Sequence, residues 1–337
     1  MDKLRVGVVG LGLGTVHTGA YLADHRVGRV VVCDTDAARI AKLRATFPAV
    51  AAGYLSLDEM LDKETLDAVS VTTPDNLHRP HAIQCLQAGC HVLLAKPLAT
   101  NLDDGRAIVH ATEASGKTLM VAHERRYEAS SVKMMELLQS GVLGEIIHLR
   151  IDSIQDKRDQ FRRAPWYASP EAGRTALVGS GIHEVDRLRY LIGRPIESVS
   201  AYSNRLGTMD FPLAKTTSAS YQFEGGAIGQ VTVCYEAHWP GGQMIDDKVR
   251  LVATKGIIVG KKYAWDGEAD WHDLPTELDS VAEGSRACVA MFLQVLLAGE
   301  PNPVPVREAF ASLAAAVAAD ESAATGLKTV PAPADFT

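Results

Sequence analysis

Three short stretches of this chain combine residue types that do chemistry rather than packing. The first is Gly10-Leu11-Gly12-Leu13-Gly14-Thr15, directly after the apolar run Arg5–Val9. Glycines there let the chain turn tightly and let backbone N–H groups approach a pyrophosphate at the positive end of a helix. Asp34 closes the next apolar run, 24 residues after Gly10, where a carboxylate can accept hydrogen bonds from a ribose diol. Thr15 stands where the usual glycine pattern has its third glycine. The loop is therefore expected to be one residue shorter, with Gly10, Gly12, Leu13, Gly14 and Thr15 along the phosphates. Asp34 would repel a 2′-phosphate, Thr35 and Asp36 supply no cation, and Arg39 is expected a turn into the following helix, so NAD is favoured over NADP.

The second stretch is Ala95-Lys96-Pro97, at the end of the run His91–Leu94. In doubly wound sheets, ligands bind beyond the carboxyl ends of the strands. A partly buried lysine there has a lowered pKa and can exchange protons. The third stretch is Gly179-Ser180-Gly181-Ile182-His183-Glu184-Val185-Asp186. On a helix, His183 and Asp186 share a face at i, i+3, and Asp186 is expected to orient the imidazole.

These groups need elements to hold them. Strands are predicted at Arg5–Val9, Arg29–Cys33, Ala68–Thr72, His91–Leu94 and Thr118–Ala122. Helices are predicted between them at Gly14–Ala23, Asp36–Thr46, His78–Ala88 and Leu102–Ser115. Buried β-branched runs alternating with helices imply a parallel, doubly wound sheet. After about residue 122 the pattern changes to long alternating runs at Glu145–Ile154, Ile196–Ser203, Thr216–Phe223, Ala227–Glu236 and Lys248–Thr254. They predict a large open, mostly antiparallel sheet with one face covered. Helices are predicted at Ser131–Ser140, Gly179–Leu191, Glu283–Ala298 and Arg307–Ala324. The fold class is thus α/β: a Rossmann domain over residues 1–122 and an α+β domain for substrate and oligomerisation over 123–337.

Composition narrows the function. Of 337 residues, 34 are basic and 41 acidic, giving a net charge of −7, which argues against general nucleic-acid binding. No run of 18 uncharged apolar residues is found, so no membrane span is expected, and the N-terminus lacks a signal-peptide layout. The five scattered cysteines form no CxxC pair. Neither a disulfide framework nor a metal site is expected, and the natural compartment is the reducing cytoplasm.

The chain resembles the glucose–fructose oxidoreductase / inositol dehydrogenase (Gfo/Idh/MocA) family over nearly its whole length. The resemblance rests on VGVVGLGLGTVH at 6–17, VSVTTPDNLH at 69–78, AGCHVLLAKPLATNLDD at 88–104, RRYEASSVKMMELLQSGVLGEI at 125–146, GSGIHEVDRLRYLIG at 179–193 and ESAATGLKTV at 321–330. It implies a sugar or cyclitol oxidoreductase using NAD(P), whose open sheet serves as the oligomer interface. The family's lysine falls on Lys96 and its proton-accepting histidine on His183. Thr73, Pro74 and His78 fall along the cofactor, and His17 in the loop-to-helix histidine position. Two departures stand out: Ala95 replaces the family's glutamate, and Gly179 its frequent aspartate.

The implied reaction moves a hydride from a secondary alcohol of a polyol to nicotinamide, with Lys96 and His183 as catalytic groups. Substrate-binding candidates are Lys96, His183, Arg126, Tyr127, Asp156, Arg158, Arg163, Trp166 and His238, with Arg125, Lys157 and Trp239 beside them. The basic loop Asp152–Trp166 suits an acidic, phosphorylated or sulfonated sugar. Two other readings stay open: NAD-dependent glycoside cleavage through transient oxidation, and a dinucleotide-binding sensor. A homodimer or homotetramer through the second sheet is expected, with no nucleic-acid or membrane partner.

Overall fold

In the computed structural model, residues 3–169, 172–238, 248–276 and 280–334 are described. The chain forms two compact units, Met1–Glu124 with Val281–Phe310, and Arg125–Ser280 with Ala311–Thr337.

The first unit begins with β1 (Leu4–Val9), α1 (Gly14–Ala23), β2 (Val27–Cys33), α2 (Ala37–Thr46), β3 (Ala52–Tyr54) and α3 (Leu57–Lys63). It continues with β4 (Ala68–Val71), α4 (His78–Gln87), β5 (His91–Ala95), α5 (Leu102–Ser115) and β6 (Leu119–Ala122). The strands make one parallel sheet in the order β3-β2-β1-β4-β5-β6. Its order reverses between β1 and β4, and that switch point opens a crevice at the carboxyl ends of the strands. Every residue of β4 and β6 is buried, as helices on both faces require. Side chains cap the helices locally: Asp36 accepts from Ala38 N, Ser56 from Glu59 N and Asn101 from Asp104 N. Strand β3 and helix α3 are too short for hydrophobic periodicity to reveal.

The second unit contains α6 (Ala129–Gln139), β7 (Ile146–Ile154), α7 (Arg158–Arg163), α8 (Ala176–Gly179), α9 (Ile182–Ile192), β8 (Ile196–Asn204) and β9 (Thr216–Phe223). It continues with β10 (Ile228–Cys234), β11 (Lys248–Ala253), β12 (Gly256–Val259), β13 (Lys262–Trp265) and β14 (His272–Asp273). The sheet has eight strands in the order β14-β13-β12-β11-β7-β10-β9-β8. Strands β7 and β10 pair in parallel, and the other pairs are antiparallel. In β9 buried Thr217, Ala219, Tyr221 and Phe223 alternate with exposed Ser218, Ser220 and Gln222. The outer face is held by cross-strand polar pairs: Ser218 with Thr232, Gln230 with Ser220, and His148 with Gln230. The single helix predicted over Gly179–Leu191 is two helices, broken at Ser180-Gly181.

Two long helices close the chain, α10 (Val281–Ala298) and α11 (Val306–Thr325). Helix α10 belongs to the first unit, not to the second where the sequence boundary at 122 had placed it. It packs on α1 and β6, burying Gly284, Ser285, Cys288, Val289, Phe292 and Leu293. A Cβ on Gly284 would lie 2.8 Å from the Glu124 Cβ, so the close approach needs glycine. Among the described residues α10 alone is long and apolar enough to cross a membrane. It nonetheless carries Glu283 and Arg286 and turns its apolar face to the first unit.

Candidate active site

The glycine loop is a cradle built mostly of backbone. Gly10 has a φ of 85°, and a Cβ there would lie 2.7 Å from the Thr72 carbonyl oxygen. Thr72, which sequence reasoning missed, ties the loop to the sheet by donating its hydroxyl to the Val9 and Gly10 carbonyls at 2.9 and 2.6 Å. Gly14 serves the close contact of helix with strand: a Cβ would meet Thr72 Oγ1 at 2.7 Å and Val8 Cγ1 at 2.9 Å. It thereby does what the third glycine of the longer pattern does. Gly12 differs, with no protein atom within 4 Å of its Cβ position. Among the described residues the amides of Gly12, Leu13 and Gly14 meet no protein acceptor, whereas Leu11 N donates to Asp34 Oδ2 at 2.8 Å. Open space beside free amides at a helix N-terminus fits a dinucleotide pyrophosphate. Thr15 turns its hydroxyl back to the Leu11 carbonyl.

Asp34 is 8% exposed and is itself part of the cradle: Oδ1 accepts from Asp36 N at 2.9 Å while Oδ2 holds Leu11 N. Each oxygen keeps a second lone pair for a ribose hydroxyl. The expectation that Arg39 lies too far along its helix is corrected. Its guanidinium reaches within 3.8 Å of Asp34 and 3.6 Å of Asp36, because Arg39 is in the first turn of α2.

Beyond β4 and β5, the fully buried His78 links two loops. Its Nδ1 lies 2.7 Å from the Pro97 carbonyl and its Nε2 3.1 Å from the Thr73 carbonyl. Its ring therefore positions the backbone next to Lys96. Thr73 Oγ1 pairs with His81, whose pKa burial lowers, and the Pro74 carbonyl accepts from Leu77 N. His17 is wholly buried against Ser70, and burial pulls its pKa down to about 4, so it stays neutral near pH 7. Lys96, half-buried, is the first residue beyond β5.

His183, also half-buried, is at the start of α9. The turn that presents it is pinned by Tyr235, whose hydroxyl donates to the Ala176 carbonyl and accepts from Ser180 N. Gly181 is required there, since a Cβ would meet Val233 at 2.5 Å. Asp186 has a further role in the core. Its two oxygens take a bidentate pair from Arg126 at 2.7 Å each, and Ser312 donates to one of them at 3.0 Å. The Arg126 guanidinium also lies 4.8 Å from the Tyr190 ring centroid. Arg126, 7% exposed, is thus a core ion-pair partner. Arg125 faces the buried Glu184 at 3.5 Å, and Tyr127 is half-buried.

The basic loop is paired within itself. Arg158 grips Asp156 and holds its carboxyl down at about 2, Arg163 faces Asp159, and Lys157 donates to Gln160. His238 pairs with Glu236 at 3.2 Å, and Glu236 is also 3.3 Å from buried Lys215. Trp166 stacks on Tyr167 at 3.9 Å. Trp239 lies outside the described residues.

Comparison with known proteins bears on the family and the fold. A family described as an oxidoreductase family with an NAD-binding Rossmann fold matches residues 4–123, and the GFO/IDH/MocA C-terminal domain matches residues 131–259. The chain belongs to the Gfo/Idh/MocA family. A 1-carboxy-3-chloro-3,4-dihydroxycyclohexa-1,5-diene dehydrogenase of Comamonas testosteroni is 29% identical over 72% of this chain and 60% of its own length. The chain thus spans less than two thirds of that relative. A myo-inositol 2-dehydrogenase of Thermotoga maritima is 26% identical over 76% of this chain and 74% of its own. The solved WlbA dehydrogenase from Bordetella pertussis, in complex with NADH and UDP-GlcNAcA, superposes with a TM-score of 0.84 at 26% identity, covering 99% of both chains.

Against the family pattern, the two departures have distinct physical settings. Ala95 is 7% exposed and pairs in register with Ala122, a packed strand end. Gly179 is flanked by a charge: a Cβ there would meet the Arg174 Nε at 2.7 Å, Nη2 at 3.0 Å and Cγ at 3.1 Å. Where this Gfo/Idh/MocA member lacks a carboxylate, a guanidinium fills the space. Sequence reasoning missed Arg174. Its only signal was a basic residue directly before the Thr175 cap of α8.

Proposed function

We propose that the chain is an NAD-dependent dehydrogenase that oxidises a secondary hydroxyl of a sugar, sugar acid or cyclitol. The observation that carries the cofactor half is the cradle: free amides at Gly12, Leu13 and Gly14, open space at Gly12, and Asp34 fixed beside them. The substrate half rests on family membership and on Lys96 and His183 in the family's motif positions. Bound NAD supplies the hydride acceptor for the carbinol C–H. His183 takes the hydroxyl proton as general base, work that suits an imidazole whose ordinary pKa is about 6.5. The Lys96 ammonium donates to the oxygen as it gains negative charge on the way to a carbonyl. His78 keeps the Lys96 loop in place through the Pro97 carbonyl. Self-association through the outer face of the second sheet belongs to the same reading; Tyr202 on its edge strand β8 is 84% exposed.

The test is a panel of polyols and aryl glycosides, followed by NADH absorbance and by product release. The expected result is NADH formed in step with the oxidised polyol. Aglycone release without NADH would replace the dehydrogenase with eliminative glycoside cleavage. Tight NAD binding with no turnover on the panel would favour a sensor. Lys96→Ala and Lys96→Met should lower turnover by about 100-fold or more. Activity within a few-fold of the unsubstituted protein would remove Lys96 from the mechanism.

A further inference from the structure

The Asp34 end of the cradle carries a cation that the sequence had placed out of reach. Arg39 stands in the first turn of α2, with its guanidinium 3.8 Å from Asp34 Oδ2 and 3.6 Å from Asp36 Oδ2. Both distances are longer than a hydrogen bond. Other arginines of the same unit are held differently: Arg5, Arg26, Arg29 and Arg79 each grip a carboxylate at 2.6–2.9 Å. Arg39 is drawn toward its two acids without being committed to either, and its side chain is 62% exposed. Thr35, exposed between the two acids in the chain, makes no hydrogen bond through its hydroxyl among the described residues.

The place of these donors matters. Asp34 Oδ2, the oxygen that Arg39 approaches, already holds Leu11 N and keeps a lone pair for a ribose hydroxyl. The guanidinium therefore borders the spot where a ribose 2′-oxygen would meet Asp34. A phosphate on that oxygen offers only acceptors and carries about two negative charges near neutral pH. A guanidinium is charged at every working pH, and its planar fork matches phosphate oxygens in a bidentate pair. Arg39 can turn to such a group without breaking a hydrogen bond, and the Thr35 hydroxyl can add a further donor. The charge count works in the other direction. Two carboxylates against one guanidinium leave one net negative charge at this corner, which opposes a phosphate and leaves a neutral hydroxyl unaffected. At an exposed site that opposition is weakened by water and by salt. The donors set what can bind, and the carboxylates set which dinucleotide binds better.

Building on the cofactor half of the dehydrogenase reading, we propose that Arg39 and Thr35 form a 2′-phosphate subsite and that the chain takes NADP as a second cofactor. The preference for NAD then rests on the charges of Asp34 and Asp36, not on the lack of a cation.

The test is calorimetric titration of the full chain with two pairs that differ only by the 2′-phosphate: NAD with NADP, and 5′-AMP with adenosine 2′,5′-bisphosphate. NADP should bind within about 100-fold of NAD, and its affinity should fall more steeply as salt is raised. Arg39→Ala should weaken NADP and the bisphosphate by about tenfold or more, and NAD by much less. Arg39→Lys should recover part of that loss. Asp36→Asn keeps an N-cap side chain on α2 and removes one charge, so NADP affinity should rise by about threefold or more. That gain should disappear when Asp36→Asn is combined with Arg39→Ala. NAD binding with no measurable NADP binding overturns the proposal and leaves the cofactor reading intact. So does an Arg39→Ala variant that weakens NAD and NADP by the same factor, as a guanidinium stacked on the adenine would. A gain from Asp36→Asn that survives the loss of Arg39 overturns it as well. Failure of both dinucleotides to bind overturns the cofactor reading and the proposal together.

Discussion

The dinucleotide cradle and the His183 turn are built on opposite plans. In the cradle the working groups are backbone amides and glycine vacancies within a few residues of Gly10, closed by Asp34 after β2 and Thr72 after β4. Around His183 the working groups are side chains whose partners come from far away: Arg126 with Asp186 across 60 residues, Ser312 with Asp186 across 126, Thr175 with Asp320 across 145. A backbone site is written in local spacing. A side-chain site depends on which charges the fold brings together, and nearly every charged candidate read from the sequence near His183 turns out to be paired elsewhere.

The largest effect expected from disturbing this contrast is at His183. His183→Asn should reduce turnover by about 100- to 10,000-fold, with NAD affinity, measured by fluorescence titration, nearly unchanged. A fall in both would mean that the turn and the cradle are not separable. Next in size is the buried pair. Arg126→Leu leaves the Asp186 carboxylate without its bidentate partner and should cost about 3–5 kcal/mol of stability by denaturant titration. Replacing both partners by leucine should restore much of that loss, which a direct substrate-binding role for Arg126 would not predict for activity.

Asp320 gives a pH signature. It is buried and bonded to Thr175, and desolvation raises its pKa from 3.8 to about 6. Between those values the folded chain keeps a proton that the unfolded chain has released. Its contribution therefore lowers stability as pH rises, with the full cost, about 3 kcal/mol, present above pH 6. Asp320→Asn should flatten that part of the stability–pH curve; an unchanged slope would exclude Asp320 as its source.

The cradle offers a finer contrast. Gly12→Ala meets no protein atom, so the melting temperature should hold while NAD affinity falls by about tenfold or more. Gly14→Ala drives a methyl into Thr72 and Val8 and should cost about 1–3 kcal/mol of stability as well. The smallest effect belongs to the surface pair of Arg158 and Asp156: Arg158→Ala should leave kcat/KM within about twofold. A larger change would return the basic loop to the substrate site.

Both sheets, the glycine loop and the positions of Asp34, Lys96 and His183 were legible in the sequence. Hydrophobic period, turn residues and motif spacing are local properties, and they survive folding unchanged. At Gly14-Thr15 the structure shows a close contact of Gly14 with Thr72 and Val8, the packing place of a glycine. The sequence did not reveal β12–β14, whose short runs carry too little period, nor the parallel pairing of β7 with β10. Only the tertiary structure decided the partners of the charges. Helical spacing pointed to His183 as the neighbour of Asp186, but it could not announce Arg126: a buried carboxylate is held strongly by a bidentate guanidinium, and the fold supplied that one from 60 residues away. In the same way an arginine five residues from Gly179 came to occupy the space of an absent side chain. Pairing energies of that kind act through contact, and contact between distant residues exists only once the chain has closed upon itself.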